Sequence, residues 1–90
     1  MNHTTERGIL QAMLYQSSEI QMPRVLRIHR RLETGDRLNG DDLTFLYEVC
    51  RSVERMRVLV LRHPDYEDYC TRSVYLLREI SSLALANERA

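Results

Sequence analysis

Lysine and tryptophan are absent from this chain, and glycine, proline and cysteine are scarce, at three, two and two residues in ninety. So few glycines and prolines exclude collagen-like and low-complexity organisation. Two cysteines, Cys50 and Cys70, are too few for a disulfide scaffold. No run approaches 18 consecutive apolar residues, which argues against a membrane-spanning helix. The opening MNHTTERG has no apolar stretch and no small-residue cleavage site. No signal peptide is therefore expected, and the expected compartment is the cytoplasm. With no lysine, all thirteen basic residues are arginine, and thirteen Asp plus Glu balance them to a formal net charge of zero. A non-specific nucleic-acid binder normally carries a basic excess. Alternation of period two is also missing over any useful length, which excludes a sheet.

What remains is a composition of 43% hydrophobic and 29% charged residues, that of an ordinary globular domain. Residues 1–90 are expected to form one domain, frayed at 1–4 and 88–90. A chain this short buries only about 60–65% of its unfolded surface.

Apolar residues recur at helical spacing along the whole length, so the expected fold is all-α. A first helix is predicted from Thr5 to Ser18, capped by Thr4 or Thr5, with Ile9, Leu10, Met13 and Leu14 on one side. Ser17, Ser18 and Pro23 predict a break, because proline suits a first turn and not an interior. A second helix then starts at Met22 or Pro23, or earlier if Ser18 and Gln21 form a capping box. It ends at Thr34 with Gly35 left-handed beyond it. After the turn-rich loop 35–40, Asp41 or Asp42 is expected to cap a third helix with a heptad-like seam of Leu46, Val49, Val53, Met56 and Val60. Pro64 opens a fourth helix running to about Asn87, with Tyr66, Tyr69, Cys70, Leu77, Ile80 and Ala84 on one face. Short connections make neighbours antiparallel. The expected product is a small up-down antiparallel bundle of four helices, or three long helices with a loosely held N-terminal one. Cys50 and Cys70 are both expected in the core, reduced, since their heights along an antiparallel pair differ by roughly 10 Å.

Helices three and four carry more apolar surface than two short companions can cover. On a helical wheel Tyr47 and Val58 flank the seam of helix three on one side, Phe45 and Leu59 on the other. Helix four has Val74 and Leu85 on one flank and Leu76 and Leu83 on the other. Arg57 falls inside the apolar arc, and Tyr15 and Tyr75 point away from theirs. Contiguous apolar surface marks a place where another chain docks. Arg24, Arg27, Arg30 and Arg31 form a one-sided basic face on helix two.

No catalytic constellation accompanies these features. His3, His29 and His63 have no partner at metal-ligand spacing, and no metal or cofactor is expected. His29 is expected at the edge of the core with a satisfied nitrogen, and His63 beside the end of helix three. Asp36, Asp41 and Asp42, and again Asp65, Glu67 and Asp68, read as helix-capping groups. The expected function is a non-enzymatic protein-interaction or regulatory module, a homodimer that binds another protein. The expected contact residues are Arg24, Arg27, Arg30, Arg31, Arg57, Val58, Leu59, Tyr75, Leu76 and Leu83. The alternative is a nucleic-acid accessory protein gripping phosphates with the arginines of helix two.

Overall fold

A computed structural model of the chain describes residues 3–90, with side chains from Thr5 onwards. It is all-helical, with no strand among the described residues. The helices are α1 (His3–Tyr15), α2 (Met22–Glu33), α3 (Gly40–Val60) and α4 (Glu67–Arg89). The fraying expected at residues 1 and 2, and the side chains of His3 and Thr4, lie outside the described residues. Residues 3 and 4 already belong to α1.

The predicted break between α1 and α2 is not a loop. Gln16–Gln21 form a π-helical segment, and helix continues without interruption over residues 3–33. The Met22 N–H donates to the Ser17 carbonyl, five residues back. Pro23 has no N–H to give, and its ring would strike the carbonyl four residues back in an α-helix. One widened turn relieves that clash without ending the helix. Neither Ser18 nor Gln21 starts a helix, and no capping box forms there. The result is three helical columns instead of a four-helix bundle. The first column is no shorter than the other two.

The widened turn also rotates the residues beyond it. One extra residue per turn shifts later side chains by about 100° around the axis. The neighbour changes accordingly, with α1 packing on α3 and α2 on α4. The N-terminal helix is thereby firmly held. Leu10 is fully buried, and Glu6 accepts from Arg62 in the turn after α3. Arg7 donates to Asp65 at 3.0 Å and to the Tyr66 hydroxyl at 3.2 Å. Ser17, buried in the π segment, shares a 2.7 Å hydrogen bond with the Tyr69 hydroxyl on α4.

The seam expected on α3 is the core. Leu46, Val49, Val53, Met56 and Val60 are all buried, against Leu10, Val25, Ile28, Leu32, Cys70 and Ile80. Asn39, not Asp41 or Asp42, is the N-cap of α3. Its side chain accepts from the Asp42 N–H at 2.8 Å, and the Asp42 carboxylate accepts the Asn39 N–H at 3.1 Å. Asp42 thus takes the third position of a reciprocal capping box. At the end of α2, Gly35 is left-handed with φ of 92°, and its N–H returns to the Leu32 carbonyl at 3.0 Å. Gly35→Ala is expected to cost about 1 kcal/mol, because a Cβ meets no neighbour there but disfavours the dihedral. Urea unfolding checks it. Pro64 opens a single 3-10 turn, Pro64–Tyr66, ahead of α4. The molecule is a rod of 50 × 19 × 16 Å.

Candidate interaction face

Three columns leave one side of the α3–α4 pair uncovered. The first column lies against the flank that includes Phe45 and Leu59 on α3 and Leu76 and Leu83 on α4. All four are half-buried and packed on the core. Leu59, Leu76 and Leu83 are therefore not the leftover surface expected of them. The reason is the unbroken first column, which is long enough to cover them. The opposite flank stays open. Val58 is 59% exposed, Tyr47 65% and Leu85 58%.

This open flank extends beyond the residues singled out from the sequence. On α3 and just past it, Leu43, Tyr47, Cys50, Glu54, Val58 and Leu61 succeed one another at intervals of four, three, four, four and three residues. That is a second heptad-like stripe, parallel to the buried one and displaced around the helix. Leu61 is 84% exposed. Cys50 is also exposed, a correction to its expected place in the core; the wheel puts it beside the seam and not within it. Leu43, Cys50 and Leu61 carry a legible signal, since each continues the spacing of Tyr47 and Val58.

On α4 the matching line is Glu67, Thr71, Val74, Arg78, Ser81 and Leu85. Between the two lines runs an open groove made of two adjoining hollows of about 390 and 450 Å³, which share Val74 and Arg78. The first is lined by Arg57 and Leu61 on the α3 side and by Glu67, Thr71, Tyr75 and Arg78 on the α4 side. The second is lined by Cys50 and Glu54 on α3 and by Val74, Arg78 and Ser81 on α4. Cys70 borders the first hollow with its thiol pushed up by burial, so it stays protonated and unreactive at neutral pH. Arg57, placed by the wheel within the apolar arc, reaches outward and pairs with Glu54 at 3.0 Å. Tyr75 lies exposed at the rim.

The arginines of α2 separate into two pairs. Arg31 grips Asp42 with both terminal nitrogens, at 3.2 and 3.0 Å, and Asp36 through Nε at 2.9 Å. Arg24 stacks over the Phe45 ring at 4.3 Å and stands 4.0 Å from Asp42. Both serve to bind α2 to the start of α3. Arg27 and Arg30 are exposed, with no ion-pair partner among the described residues. The basic face is therefore half committed within the molecule. Tyr15 is exposed on α1, away from the groove.

His29 reaches Glu79 at 2.6 Å and Glu33 at 3.5 Å, and so ties α2 to α4. His63 is buried at the α3–α4 turn, its Nδ1 accepting from Arg7 at 3.4 Å. No group of three metal-ligating side chains occurs among the described residues, and no described helix is long and apolar enough to cross a membrane. No protein-family model, curated protein or solved structure matches this chain.

Proposed function

We propose that this chain is a non-enzymatic protein-docking module that works through the outer face of α3 and α4. The observation that carries the reading is the exposed stripe of Leu43, Tyr47, Cys50, Val58 and Leu61, which follows the spacing of a buried seam but is left uncovered by the molecule's own helices. Such a stripe is costly to leave in water and fits the side of another helix. The arginines of α2 are the weaker candidate. Two of the four are spent on Asp42, Asp36 and Phe45, so phosphate binding would rest on Arg27 and Arg30.

Affinity purification of the full chain from its own cells, read by mass spectrometry, tests the reading. A protein partner, this chain included, is expected with the wild type and lost with Tyr47→Glu combined with Leu61→Glu. Ile20→Glu, on the π segment and similarly exposed, is expected to keep it. Equal recovery with all three would overturn the proposal.

A further inference from the structure

We infer that the occupant of this face is a second copy of the chain, related by a two-fold axis along the rod, so that α3 of each protomer lies against α4 of its partner. This rests on the docking reading above and names its partner. Three features of the face select a copy of the chain over other proteins.

The first is extent. The accessible surface is 6138 Å², whereas a folded monomer of this mass is expected to show about 5,500 Å². The stripe from Leu43 to Leu61 spans about 27 Å, and two neighbouring helices are about 20 Å across. The projected area is then about 540 Å², which ridges and grooves raise towards the roughly 800 Å² per partner of a stable interface.

The second is charge. The face carries Glu54 and Glu67 against Arg57 and Arg78, on a chain of zero net charge. A strongly acidic or basic partner gains nothing from such a balance. A copy does, because Glu54 on α3 and Arg78 on α4 line the same hollow. A two-fold along the rod keeps height along it and exchanges α3 for α4. Glu54 of one protomer then faces the partner subunit's Arg78. The pairing occurs twice, as an isologous interface requires. Glu67 and Arg78 have no ion-pair partner among the described residues. Complementary charge of this kind fixes register more than it adds affinity.

The third is polarity of the helices. The short turn 61–66 makes α3 and α4 antiparallel. With the axis along the rod, each of the four apposed helices also lies antiparallel to its new neighbour, which opposes their dipoles. Spacings of three and four suit the shallow crossing angle of such a bundle. A two-fold across the rod would instead lay α3 on α3 and α4 on α4.

Light scattering and sedimentation equilibrium from micromolar to millimolar protein decide the matter. The expected species has twice the 10.7 kDa chain mass. Leu61→Glu should leave helicity and melting of the protomer unchanged, since the side chain is solvent-exposed, and should raise the dimer dissociation constant at least about tenfold. Ile20→Glu should leave it unchanged. Arg78→Glu should weaken the dimer by setting like charges level, and adding Glu54→Arg should restore it. Spin labels at Leu61→Cys, in a Cys50→Ser background, should lie at the same end of the dimer; a two-fold across the rod would separate them by about 27 Å along it. A monomer at millimolar concentration, a dimer indifferent to Leu61→Glu, or labels at opposite ends would each overturn the inference. A monomer whose cellular partner is still lost with the paired glutamates would remove the second copy and leave the docking reading standing.

Discussion

Measured on the dissociated protomer, Leu10→Ala is expected to lower the free energy of unfolding by about 3 kcal/mol, while Leu61→Ala changes it by no more than about 0.5 kcal/mol. The two substitutions remove the same atoms from leucines that differ only in surroundings. Leu10 is completely enclosed, so truncation forfeits its burial and leaves a cavity that the flanking helices fill only in part. Leu61 is 84% exposed and leaves none. For a domain of this size the first change should move the melting temperature by more than about 10 °C. Circular dichroism in heat and in urea reads both. The result bears on the architecture as well as on packing. A loosely held N-terminal helix would open before the rest of the chain, and Leu10→Ala would then cost under about 1 kcal/mol. The continuous column over residues 3–33 predicts one cooperative transition in which α1 melts with α3 and α4.

That column also marks where the sequence stopped being readable. The seam of α3 and the left-handed Gly35 come from local rules, and both are realised, whereas Pro64 opens a 3-10 turn and α4 itself begins at Glu67. Pro23 obeys a local rule too, but the rule assumes α geometry, and a single π turn satisfies the proline at no break in the chain. A signal was present. Leu10, Leu14, Ser17, Gln21, Val25, Ile28 and Leu32 keep intervals of three and four straight through the supposed gap. The flanks of α3 and α4 show a different limit. Periodicity gives the width of an apolar arc, but not the side from which a third helix approaches. Phe45, Leu59, Leu76 and Leu83 became covered because the unbroken first column lies on their side, whereas Tyr47, Val58 and Leu85 stayed exposed and Val74 is half-buried at the edge of the groove. The arginines of α2 failed for a third reason. Asp42 is eleven residues beyond Arg31, and only the fold of the intervening loop brings the two together.

Asp42→Ala is expected to cost about 2 kcal/mol, the sum of a lost cap partner and lost charge-assisted hydrogen bonds. The carboxylate is nearly enclosed, with its side chain 5% exposed, and it accepts from both Arg31 terminal nitrogens and from the Asn39 N–H. Hydrogen bonds from Arg31, then from the Asn39 backbone, outweigh the opposing effect of burial and hold its pKa below the usual carboxylate range. Arg31 does the same for Asp36, and Arg7 for Asp65 at the other end of the rod. A folded-state pKa below the unfolded one means that these groups stabilise the fold fully above about pH 4. Their contribution fades as the pH falls through the depressed value. The wild type should therefore lose stability below about pH 4, and Asp42→Ala should show a shallower acid slope from a lower plateau. Unfolding free energies measured at a series of pH values test both parts; an unchanged slope would mean that Asp42 carries none of the linkage. The same substitution reaches the docking face. Asp42 fixes the first turn of α3, and Leu43, the next residue, begins the exposed stripe. Asn87 adds a second clamp from α4, donating to the Leu32 carbonyl at 2.9 Å and the Asp36 carbonyl at 2.6 Å. With that clamp intact, the end of the face should loosen without detaching, so Asp42→Ala should weaken docking less than Leu61→Glu does.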